Sequence, residues 1–122
     1  MSVTVNLNMA FTKNGISEAF NVNQTATMAI AGYKVQSPTF GTSVSQISTA
    51  SISTLGYTFL QSLVTTTQAT CTITFGRYEG GILYPACNLR AGEPAVLRLA
   101  AGNYAAQAAD SGYRMLIATF EE

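Results

Sequence analysis

The chain has no histidine and no tryptophan, and only 10% of its residues are charged, against about a quarter in an average soluble domain. Without imidazole there is no serine triad, no His-ligated zinc and no His-based acid–base pair. The two cysteines, Cys71 and Cys87, lack the ordinary base that would make a thiolate nucleophile, and two thiols alone do not build a metal site. No catalytic, metal or cofactor residue is therefore expected. Six basic and six acidic side chains cancel, which argues against a nucleic-acid partner, because phosphate binding draws on clustered Lys and Arg. No apolar run approaches the roughly 18 residues of a membrane helix, since Thr, Ser, Gly or Asn interrupts each one. The first nine residues alternate apolar and polar and carry neither the basic nor the apolar region of a secretory leader, so folding in a reducing cytoplasm is expected.

Hydroxyls take the place of charge: 16 Thr and 10 Ser stand beside two Lys in 122 residues. That length is one domain by the usual prior, and no repeat, linker or composition shift divides it, so residues 1–122 are expected to form a single domain. Period-2 patterning runs along the whole chain between turn residues, the signature of an antiparallel β-sandwich. Val3, Val5, Leu7 and Met9 share one face of a first strand, which turns at Lys13-Asn14-Gly15 into Ala19 to Asn21. Further strands are expected at Thr25 to Ala31, Ser43 to Ser53, Tyr57 to Leu63 and Tyr113 to Phe120. The only helical signal is the Ala-rich segment from Asn103 to Asp110, enough for one or two turns.

Register can be read in the second half. A hairpin of Ala69 to Phe75 with Ile82 to Leu89, around a Gly76 to Gly81 loop, sets Phe75 against Leu83, Ile73 against Pro85 and Cys71 against Cys87. A second turn at Gly92-Glu93-Pro94 sets Leu89 against Leu97 and makes a three-stranded meander. Its polar face carries Thr70, Thr72, Thr74, Tyr84, Asn88, Arg90, Val96 and Arg98. Opposed cysteines are near enough for a strained disulfide, but reduced, core-facing thiols suit the expected compartment. The acidic residues Glu18, Glu79, Glu93, Asp110, Glu121 and Glu122 fall in turns or at the chain end, without the buried pairing of a glycosidase. Gly76, Gly80 and Gly81 lack the following helix of a phosphate loop.

From Val35 through Gly76, 42 consecutive residues carry no Asp, Glu, Lys or Arg. Either these are Thr/Ser-faced strands solvated by hydroxyls, or they are strands covered by neighbouring subunits, since free edges ordinarily carry Lys or Pro as guards. Interfaces deplete charge in the same way, which points to a component of an assembly.

The sequences Gly56-Tyr57-Thr58-Phe59-Leu60-Gln61-Ser62-Leu63, Cys71-Thr72-Ile73-Thr74-Phe75-Gly76, Leu83-Tyr84-Pro85, Leu89-Arg90-Ala91-Gly92-Glu93-Pro94-Ala95-Val96-Leu97-Arg98-Leu99 and the acidic ending Leu116 to Glu122 are turn and strand signatures. Together they resemble small virion proteins of tailed bacteriophages, over a little more than half the chain. Ser62 stands where that group has the Asn of an Asn-Leu step. The resemblance implies a jelly-roll-like β-sandwich that decorates or cements a capsid. Its partners would be the major capsid protein and copies of itself in a homotrimer, and its location the virion surface after synthesis in the host cytoplasm. Contact residues are expected at the glycine-flanked tip, Arg77, Tyr78 and Glu79, and on the polar face at Tyr84, Arg90 and Arg98. Two rivals remain: a tail-tip or fibre-associated module that binds host glycans through Tyr and Thr, and a self-polymerising pilus or tail-tube subunit.

Overall fold

The computed structural model describes residues 2–27, 32–50, 52–65 and 70–121, and of Ser2, Val3, Ala26 and Thr27 the backbone alone. Eleven strands and no helix occur among them. The all-β expectation holds. The chain divides into two compact units, Met1–Ala31 and Gly32–Glu122, so the sandwich expected over residues 1–122 is confined to the second.

The first unit is one antiparallel ribbon of β1 (Ser2–Lys13) and β2 (Ile16–Thr27). Asn14 and Gly15, with φ of 51° and 80°, form the two-residue turn whose twist matches the strands it joins, at the place the sequence puts it. Val5, Leu7 and Met9 share a face as expected, extended by Phe11; the side chain of Val3 lies outside the described residues. Of the strand expected from Thr25 to Ala31, residues 25–27 continue β2 and residues 28–31 lie outside the described ones.

The second unit contains β3 (Tyr33–Gln36), β4 (Thr39–Phe40), β5 (Ser45–Gln46), β6 (Leu55–Ser62), β7 (Ile73–Glu79), β8 (Ile82–Leu89), β9 (Pro94–Arg98), β10 (Tyr104–Ala108) and β11 (Tyr113–Glu121). One sheet runs β3-β11-β6-β9, with β4 also on β11; the other runs β5-β10-β7-β8. The pairs are nested. Tyr33 meets Phe120, Gln46 meets Ala105, Phe59 meets Val96 and Tyr78 meets Leu83, each pair lying inside the one before it in sequence and in the opposite sheet. The unit is thus one long hairpin, bent so that successive pairs alternate between two layers, which is the winding of an eight-stranded jelly roll.

Leu60, Ile73, Phe75, Met115 and Ile117 fill the space between the layers, with Phe75 stacked on Tyr104 at 5.6 Å. The Tyr104 hydroxyl donates to the Ala100 carbonyl at 2.7 Å, so its polar end is satisfied at the edge of the core. Thr58 and Thr119 also point inward; they oppose one another across β6 and β11, and their hydroxyls share a 3.4 Å hydrogen bond.

Four local expectations change. Asn103 to Asp110 is not helical: Tyr104–Ala108 is a strand between β5 and β7, and Ala105, Ala106 and Ala108 are small enough to be buried there. Of the strand expected from Ser43 to Ser53, Ser45–Gln46 alone pairs among the described residues, and Ser51 lies outside them. The hairpin of β7 and β8 closes on Gly80-Gly81, with φ of 58° and 82°, instead of a six-residue loop; Phe75 therefore opposes Cys87, and Ile73 opposes Leu89. Ala69 of the expected strand lies outside the described residues. The meander ends at β8, because β9 crosses to the other layer and pairs with β6.

Candidate interaction faces

Two surfaces of the second unit gather side chains suited to binding. The first is the tip of β7 and β8. Arg77 and Glu79 lie two residues apart on one strand, so they share a face, and their side chains meet at 3.5 Å. Tyr84 opposes Arg77 and Ile82 opposes Glu79, both exposed. Tyr78 belongs to the other face with Leu83, and its backbone N–H donates to the Asn103 carbonyl at 2.9 Å. Arg77, Glu79 and Tyr84 are thus brought together, while Tyr78 is turned away from them.

The remaining expected contact residues are dispersed. Arg90 lies after β8, where its backbone N–H donates to Glu93 Oε1 at 2.6 Å across the turn. Arg98 is in the opposite layer, with its guanidinium 5.7 Å from the ring centroid of Tyr57. The single polar face expected for Tyr84, Arg90 and Arg98 therefore does not form. Thr74 and Asn88 do share a face and join at 3.1 Å.

The second surface was not anticipated. From Tyr57 onward β6 alternates, burying Thr58, Leu60 and Ser62, so Tyr57, Phe59 and Gln61 point out of the sandwich. Along β11 the alternation buries Met115, Ile117 and Thr119, and turns Leu116, Ala118 and Phe120 outward. Phe59 opposes Ala118 on one side and Val96 on the other, while Ala118 also opposes Val35. An apolar row thus crosses four strands. Beside it Tyr33, 67% exposed, stacks on Phe120 at 5.9 Å. The period-2 pattern of residues 55–62 was legible, but its sidedness was not: hydroxyls ordinarily face water, and here they face the core.

Burial pushes the Cys87 thiol up, partly offset by a hydrogen bond with the backbone of Phe75, so it is less readily a thiolate. Cys71 is buried beside Tyr113, and hydrogen bonding to that thiol, followed by burial, raises the phenol. Both cysteines are free, and Cys71 does not oppose Cys87. The open cleft lined by Leu63, Val64, Thr65, Ser111, Gly112, Tyr113 and Arg114 holds no carboxylate or thiol. No group of three or more His, Cys, Asp and Glu side chains forms among the described residues. No helix there is long and apolar enough to cross a membrane.

No family model, curated protein or solved structure matches the chain.

Proposed function

We propose that this chain is a structural virion protein of a tailed phage, a decoration or cement protein that binds an assembled shell and stabilises it. The observation that carries the reading is the outward apolar face of the β3-β11-β6-β9 sheet, where Phe59, Val96, Ala118 and Val35 form a row across four strands while Thr58, Ser62 and Thr119 are turned inward. A sheet with apolar side chains on both faces fits a domain covered on both sides. The residues from Val35 through Gly76 bring no charge to that face, and its arginines, Arg98 opposite Tyr57 and Arg114 two residues before Leu116, flank the apolar row, so the contacts of the row itself would be apolar and hydrogen-bonded.

A protein that binds only the assembled shell stabilises it by mass action. Contacts made to adjacent capsid subunits at once would hold them in register, and the jelly roll serves as a rigid plate between them. The exposed rings of Tyr33 and Tyr84 favour the second reading, a glycan-binding module at a tail tip or fibre.

The test is the copy number in purified particles of the source phage, measured by quantitative mass spectrometry against the major capsid protein. Copies comparable to the shell subunit are expected. A small ring-like number would move the protein to the tail, where glycan-array binding becomes the deciding measurement, and absence from particles would overturn the virion reading.

A further inference from the structure

The amino-terminal ribbon carries an apolar face that its own two strands do not cover. Leu7, Met9, Phe11, Ile16, Phe20 and Val22 share that face and are each between 43% and 60% exposed. Phe11 and Phe20 stack on it at 6.3 Å. The other face is polar throughout its middle: Asn6 opposes Asn23, Asn8 opposes Asn21, and Thr4 and Thr25 share a 3.4 Å hydrogen bond. Water suits the second face and not the first. Twelve-residue strands make a ribbon about 40 Å long. A lone two-stranded ribbon of this kind is marginal in water, so its order depends on burying the apolar side.

We propose that this face is an interface between two copies of the chain, packed face to face about a two-fold axis parallel to the ribbon. Charge selects the partner and the direction. The face bears two charges, Lys13 on β1 and Glu18 on β2, both at the turn end, and neither meets an opposite charge among the described residues. A two-fold axis along the ribbon lays β1 of one copy over β2 of its mate at the same level, so Lys13 of each lies over Ile16 of the other, with Glu18 two residues along that strand and on the same face. The reversed direction sets these charges on the Val5–Gln24 end, where nothing pairs with them. The six apolar side chains leave on the order of 500 Å² per copy to be covered. With the flanking Val5, Gln24 and strand edges this approaches the ~800 Å² per partner of a stable complex.

Sedimentation equilibrium of the full chain at micromolar concentration tests it. The expected mass is twice 12.9 kDa, dissociating on dilution. Phe20→Asp should weaken association at least tenfold, while Asn21→Asp on the other face leaves it unchanged. Should Phe20→Asp not fold, charge reversal decides. Lys13→Glu chains and Glu18→Lys chains should each associate weakly alone, whereas an equimolar mixture, in which both contacts join opposite charges, recovers the parental mass. A monomer at every concentration, a trimer, association that survives Phe20→Asp, or a mixture that fails to recover would each overturn the proposal.

Discussion

Gly76 shows how one residue holds a bend in the second sheet. Pairing on β8 steps from Pro85 to Cys87 as β7 passes from Gly76 to Phe75, so Ala86 is the extra residue of a bulge. A Cβ at Gly76 would run into the Tyr84 carbonyl and come within 2.9 Å of the Ala86 nitrogen, both backbone atoms that no rotamer can move. Gly76→Ala is expected to cost about 3 kcal/mol in urea unfolding. Gly41→Ala, where a Cβ meets nothing within 4 Å, should cost less than about 0.5 kcal/mol, and equal losses would refute the bulge argument. Glu121 has a different role. Its Oε1 accepts from the Ser53 hydroxyl and from the Ser53 backbone N–H at 2.8 Å, and these bonds, with a weaker one from Thr54, hold its carboxyl below the usual range although burial opposes them. A carboxylate whose folded pKa is depressed adds stability above its unfolded pKa and loses it as pH falls through the folded value. Glu121→Gln should therefore lower Tm at neutral pH and flatten its decline with acidification; an unchanged slope in a Tm-against-pH series would remove Glu121 from that account.

At the scale of elements, local chemistry decided what the sequence could disclose. Asn14-Gly15 specifies its turn by itself, so the first ribbon was legible from neighbouring letters. Gly80-Gly81 carries the same information, with both φ values positive, but the four residues before it, Gly76 to Glu79, were read as loop when they belong to β7. That misplacement shifted every pair of the hairpin and created the apparent Cys71–Cys87 opposition. The turn yields a direct test. Gly81→Val puts a β-branched side chain at φ 82° and should cost about 1–2 kcal/mol in thermal unfolding, while Gly80→Asn at φ 58° should be nearly neutral. Equal tolerance at both positions would contradict the two-residue turn. The Ala-rich strand β10 misled for the opposite reason: alanine favours helix when alone, yet here small side chains fit between β5 and β7, and the two neighbouring ladders outweigh intrinsic preference. Arg98 left the expected site because β9 crosses to β6, a pairing of Tyr57 with Arg98 that no local signal encodes.

At the scale of the molecule, the all-β class was legible and the division of labour along the chain was not. Strand periodicity looks the same in a ribbon standing by itself and in a jelly roll, so residues 2–27 read as part of one sandwich. What separates them is closure. Every long strand of Gly32–Glu122 lies in a sheet whose inner face packs on a shared core built from both layers, including Phe40, Leu60, Ile73, Leu89 and Met115. The ribbon has two strands and no such second layer in its own unit. Stability should divide the same way. A chain lacking residues 1–31 keeps the core of Gly32–Glu122, so it is expected to retain one cooperative thermal transition within a few degrees of the full chain, and the near-ultraviolet dichroism of Phe75 and Tyr104 with it. The same truncation removes the face with Met9 and Phe20, so it should sediment as a monomer where the full chain pairs. Loss of the cooperative transition would mean that the jelly roll needs the ribbon to fold. Retained pairing would place self-association on the outward face of Phe59 and Val96, making that sheet the contact between copies instead of the contact with a shell.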